Sequence, residues 1–143
     1  MTYPPVIVPI LTGCAVQFIK FLLFAVKHKR IEIKYFFDPG HMPSAHTAFL
    51  VSLTSTVAYY DGVFSTTFAI SFVLLYVVLY DALRIRVNIG DNGKIINKLV
   101  RELAEIKKED YPVLKERVGH KPLEVLVGGI LGLVFTVFLI RLM

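Results

Sequence analysis

The chain has little charge and almost no cysteine. Of its 143 residues, Asp, Glu, Lys and Arg make up 19%, confined to a few blocks between long uncharged runs, and Cys14 is the single cysteine. A lone cysteine inside an apolar run excludes an intrachain disulfide and carries no compartment signal. No positive charge precedes the first apolar run in Met1-Thr2-Tyr3-Pro4-Pro5, which argues against a cleaved signal peptide. There is also no internal repeat and no low-complexity tract. What the chain does have is apolar: 55% hydrophobic residues and a mean hydropathy of +0.64. That composition excludes an ordinary soluble domain and predicts one membrane-embedded domain over residues 1–143. A net charge of +5 would suggest nucleic acid if the basic residues lined a polar face. Here they flank apolar spans, so membrane orientation and anionic headgroups account for them and no nucleic-acid partner is expected.

The predicted fold is all-α, an integral membrane bundle of about four transmembrane helices plus a cytoplasmic amphipathic helix. Val6 to Val26 is 21 residues interrupted by Gln17 and Lys20, about 31 Å at ~1.5 Å per residue, enough to cross. A second span starts near Pro43, placed at the first helical position, and runs to Tyr60. It carries scattered Ser and Thr and is the least hydrophobic, as expected if one face packs on protein. Asp61-Gly62 makes a turn, Phe64 to Leu83 forms a third span, and Leu123 to Leu142 a fourth. Gly128-x-x-x-Gly132 in the last is a spacing that permits close helix packing. Residues Lys94 to Lys108 set Ile95, Ile96, Leu99, Val100, Leu103 and Ile106 at helical spacing, with Lys98/Glu102 and Arg101/Glu105 as i,i+4 pairs. This amphipathic helix is expected to lie on the bilayer or the bundle, or to act as a lid.

Of the 16 Lys and Arg, 14 fall in the 27–34 loop and the 84–121 section. With four spans both segments share one side, and the positive-inside rule makes residues 27–42 and 84–121 cytoplasmic. The same side then collects most of the chemistry-bearing residues. His41, Ser44 and His46 stand at the start of the second span, Asp81, Arg84 and Arg86 at the end of the third, and His120 and Glu124 at the start of the fourth, with Lys20 approaching the same level. Helix N-termini and cations attract anions, so the constellation suits a phosphate whose tail stays in lipid. His120 and Glu124 are four residues apart, a spacing that permits the carboxylate to fix the imidazole tautomer. As a purely structural alternative, Pro122-Leu123-Glu124 is a helix start with its acid favoured by the dipole. His28 lies in a charge run and is expected to be solvated.

Met42-Pro43-Ser44-Ala45-His46-Thr47-Ala48, Tyr80-Asp81-Ala82 followed by Arg86, and Gly119-His120-Lys121-Pro122-Leu123-Glu124-Val125 resemble the signatures of the divergent type 2 phosphatidic acid phosphatase family, related to acid phosphatases and vanadium-dependent haloperoxidases. The resemblance covers nearly the whole chain. It implies that His120 is the nucleophile that becomes phosphorylated, Glu124 the residue that orients it, and His46 the general acid for the leaving oxygen. Ser44 would bond the phosphate, Lys20, Arg86 and Arg117 would supply cationic contacts beside Asp81, and neither metal nor cofactor is implied. Ala45 replaces the glycine of the parent Pro-Ser-Gly-His motif, there is no Lys-x6-Arg-Pro motif, and Leu114 stands where an arginine is expected six residues before His120.

The resulting expectation is a metal-independent membrane enzyme hydrolysing a phosphomonoester or pyrophosphate on a lipid through a phosphohistidine, with membrane lipids bearing phosphate headgroups as partners. A non-catalytic lipid-phosphate scaffold is the alternative, ahead of a small transporter using Lys20 and Asp81 as intramembrane charges. Typical relatives have six spans, so completion of the pocket by a second copy, a homo-oligomer, stays open.

Overall fold

A computed structural model describes residues 3–28, 42–103 and 112–143, and every regular element among them is helical. Helix α1 is Pro4–His28, α2 is Ala45–Tyr60, α3 is Thr66–Tyr80, α4 is Arg86–Glu102 and α5 is Pro122–Leu142. A π-helical turn, Asp81–Ile85, joins α3 to α4, so the two form one continuous 37-residue rod, about 56 Å long at ~1.5 Å per residue.

Three helical stretches are long and apolar enough to cross a bilayer: Pro4–Val26, Thr66–Glu102 and Pro122–Leu142. The expected second crossing forms a helix, but α2 has 16 residues, about 24 Å against a hydrocarbon core of about 30 Å. Length and apolarity thus mark three of the four expected crossings, and not the shorter α2. The physical reason is where α2 sits. It packs against α1, α3 and α5 and buries Ser52, Thr54 and Thr56, so it faces protein instead of lipid along much of its length. By contrast α3 exposes Ile70, Phe72, Val73, Tyr76 and Val77, a surface suited to lipid.

Hydroxyls join the three helices around α2's middle. Ser52 Oγ donates to Thr12 Oγ1 at 3.1 Å, and Thr136 Oγ1 of α5 lies 2.7 Å from Ser52 Oγ. All three residues are fully or almost fully buried, where a polar group must find its partner inside the protein. Toward the N-terminal end of α2 the contact with α5 tightens. A Cβ on Gly128 would run into the Ser44 carbonyl oxygen, and one on Gly132 would stand 2.6 Å from Ala48 O. The Gly128/Gly132 spacing thus works as expected, letting the two backbones touch.

Local chemistry sets the helix ends, with two departures from expectation. Ser44, not Pro43, caps α2: its Oγ accepts from Thr47 N, and Pro43 lies one residue before the cap. Pro122 does occupy the first turn of α5, where Glu124 Oε2 accepts from the Lys121 N–H at 3.1 Å. The amphipathic helix expected over 94–108 begins earlier, as the continuation of α3. Residues 104–108 lie outside the described residues, as do residues 29–41 of the basic loop, including His41. Lys98 pairs with Glu102 at 3.8 Å, whereas Arg101 lies 3.6 Å from Glu116 and Glu105 is outside the described residues. Ile95, Ile96, Leu99 and Leu103 point outward, and the face of α4 that packs is Gly90, Gly93 and Asn97.

Gly128→Val should lower the thermal midpoint of the detergent-solubilised protein, at a cost of about 1–3 kcal/mol for overpacking. Gly129→Ala is the matched control, because a Cβ there meets nothing closer than 3.8 Å and should leave the midpoint nearly unchanged.

Candidate functional site

The residues ahead of α5 are delivered by a strap, residues 112–121, seated on α4. Small residues make the seat. A Cβ on Gly90 would stand 2.6 Å from Glu116 O, and one on Gly93 2.9 Å from Lys115 O. Asn97, one turn further, grips the strap with both ends of its amide. Its Nδ2 donates to Leu114 O at 2.9 Å and to Glu116 Oε1 at 3.1 Å, while Leu114 N–H donates to Asn97 Oδ1 at 3.0 Å. At the other end Gly119 lies against Val87, and His120 N–H donates to Ala82 O at 3.1 Å. Ala82 belongs to the π turn, whose widened geometry runs Arg86 N–H to Asp81 O. The same widening brings the side chains of Asp81 and Arg86 together, Arg86 Nε to Asp81 Oδ2 at 2.6 Å.

The strap sets His120 beside the start of α2. Ser44 N–H donates to Glu124 O at 3.1 Å, so the N-termini of α2 and α5 abut. His120 is almost fully buried and its Nδ1 is without a hydrogen-bond partner. Burial pushes its pKa below the ordinary value of 6.5. Glu124 pulls the other way, and electrostatic repulsion from Lys20, His46 and Arg86 adds to the depression. The imidazole is therefore neutral at neutral pH. Lys20 reaches this neighbourhood from α1 and is itself 8% exposed, whereas His46 on α2 is exposed.

All eight residues expected at the site thus lie in one linked neighbourhood, though several are engaged with each other. Asp81 and Arg86 form one ion pair. Glu124 Oε1 accepts from Arg117 Nη2 at 2.7 Å and Oε2 from the Lys121 N–H, so its carboxylate is committed to the strap and the helix start instead of to His120. Ser44 is 1% exposed and its Oγ accepts from Thr47 Oγ1 at 2.9 Å, in a capping role that leaves its own proton to donate. Beside His120 a cavity of 310 Å³ is walled by Val87, Lys94, Arg117, Gly119 and Lys121 among others. Among the described residues no three His, Cys, Asp or Glu side chains cluster as metal ligands.

The divergent PAP2 family matches residues 1–135 of the chain. The chain belongs to that family. It is also 32% identical over 134 residues to the uncharacterized membrane protein YuiD of Bacillus subtilis (strain 168), covering 86% of this chain and 85% of that protein. No solved structure matches it. As a divergent PAP2 family member the chain is a membrane protein. Gly90, Gly93 and Asn97, which seat the strap, were not among the residues singled out from the sequence. Their i, i+3, i+7 spacing, small or amide residues on one face of a helix otherwise rich in charge and Ile, is the signal that could have found them.

Asn97→Ala should loosen the strap without unfolding the bundle. It removes two bonds to the Leu114 backbone, a local cost of about 1–3 kcal/mol, and amide exchange at residues 114–120 should accelerate while that of α2 and α5 stays slow.

Proposed function

We propose that this divergent PAP2 family protein is a membrane lipid phosphatase, hydrolysing a phosphomonoester or pyrophosphate on a lipid through a phosphohistidine. The observation that carries the reading is the abutment of the α2 and α5 N-termini, which puts His46 and the nearly buried His120 in one charge neighbourhood with Lys20 and Arg86. With Nδ1 enclosed, the other ring nitrogen, Nε2, is the nucleophile. Its lone pair forms the N–P bond as the ester or anhydride P–O bond breaks, and the leaving oxygen takes a proton from His46. Water then attacks phosphorus, gives up its proton to His46, and the N–P bond breaks to release inorganic phosphate. A depressed pKa serves this role, because the attacking imidazole must be unprotonated. Lys20, Arg86, Ser44 and backbone N–H groups at the α2 start neutralise the transferring phosphoryl. The basic residues of the 84–121 section support a cytoplasmic side for this end under the positive-inside rule.

One observation favours a second reading, a lipid-phosphate-binding scaffold without turnover: Glu124 bonds Arg117 and the Lys121 N–H and not the histidine it would orient. Phosphate release from a panel of lipid phosphates in detergent, with chelator present, separates the two. The hydrolase reading expects turnover in the wild type, loss to background in His120→Ala, and a fall of about 10²–10⁴-fold in His46→Ala. Binding without release in the wild type supports the scaffold. The rate should also hold up below pH 6.5, the ordinary histidine value, with its acid limb displaced downward because His120 resists protonation.

A further inference from the structure

The carboxylate of Glu124 is 6% exposed and doubly committed, yet the nearest imidazole has a buried nitrogen with no partner. An unpaired polar atom in a nearly dry site calls for an explanation. Glu124 is close enough to be the strongest influence favouring a charged His120, and its Oε2 accepts from the N–H of Lys121, the residue next to that histidine. The carboxylate is held in its present place by Arg117, at 2.7 Å from Oε1.

Arg117 is the exposed member of this pair, its side chain 57% accessible against 8% for Glu124. It lines the 310 Å³ cavity that His120 also walls, with Lys94 and Lys121. A guanidinium pairs with phosphate through two parallel N–H bonds, and a phosphate dianion competes well with a single carboxylate oxygen for it. We propose that Arg117 is a phosphate-binding positioning residue: a phosphate group entering the cavity takes its guanidinium from Glu124, and the released carboxylate accepts the Nδ1–H of His120. The inference rests on His120 being the reacting imidazole of the proposed function. It makes the substrate's own phosphate complete the site, since a carboxylate on Nδ1 holds the proton there and leaves the Nε2 lone pair free to attack. The other charges facing the imidazole, Lys20 from α1, His46 from α2 and Arg86 from α4, stay in place through the exchange. The acids on the cavity wall do not compete strongly for the guanidinium, because Glu116 lies 3.6 Å from Arg101 and Asp91 3.9 Å from Lys94.

The test is the tautomer of His120, read from ring ¹⁵N shifts of the histidine-labelled full chain in micelles, with the signal assigned by His120→Asn. Inorganic phosphate and a short-chain phosphatidic acid are titrated separately, so that a free phosphate and a lipid headgroup are distinguished as sources. In the wild type either probe should convert the ring to the Nδ1–H form. Arg117→Gln should show that form with no phosphate added and bind phosphate at least about tenfold more weakly. Arg117→Lys, which keeps the charge but not the two-bonded fork, should still convert the ring, at a higher phosphate concentration than the wild type needs. Glu124→Gln should abolish the conversion. An unchanged ring in Arg117→Gln, an equal response in Glu124→Gln, or no response to either probe overturns the exchange. A ring that converts without phosphate release keeps the inference and removes the hydrolase reading; release with an unmoved ring does the opposite.

Discussion

The close approach of α2 and α5 at their N-termini is the constraint on which the rest depends. Ser44 donates its backbone N–H to Glu124 O, and Gly128 and Gly132 lack the Cβ atoms that would force the helices apart. In lipid there is no hydrophobic force between helices, so contact this intimate needs small residues and hydrogen bonds. The Thr12, Ser52 and Thr136 hydroxyls extend the same logic deeper into the bundle. Two orphan N–H clusters, from helices 77 residues apart at Ala45 and Pro122, therefore open on one place.

A second clamp acts beside the first. The continuous rod of α3 and α4 offers a flat seat at Gly90 and Gly93 and an amide hook at Asn97, and the π turn presents Ala82 O to His120 N–H. A π turn inside a long helix commonly marks a functional position. Here it does two things at once, receiving the strap and bringing Asp81 under Arg86. His120 is thereby held by its backbone N–H while its side chain is almost fully buried.

The electrostatics follow from that placement. Burial, with Lys20, His46 and Arg86 nearby, disfavours the charged imidazole, while the Glu124 carboxylate is occupied by Arg117. A neutral, enclosed histidine among cations is suited to meeting an anion, because the ligand brings the charge that the site lacks. This favours association of a phosphate before any proton moves.

Much of this was legible in the sequence. Hydropathy alone determined an all-α membrane domain, because in lipid an uninterrupted apolar stretch must satisfy its backbone as a helix. The Ser44–His46 and His120–Glu124 motifs marked a candidate site, since residue types suited to phosphate chemistry stood beside two helix starts. Three things needed the tertiary structure. Period and polarity could not reveal that α2, at 16 residues, is enclosed by three neighbours, and length and apolarity alone mark only the other three expected crossings. The 94–108 reading left that helix on the bilayer, on the bundle or as a lid, and did not foresee that glycine and asparagine pack, as they do because the partner is a strap of backbone with carbonyls to satisfy. Glu124's partner was the third: four residues of spacing allow a bond to His120, but only the folded strap brings Arg117 close enough to claim the carboxylate first. Local pattern thus determined which segments are helices and which side chains carry chemistry, and long-range packing decided which of those side chains are paired with each other.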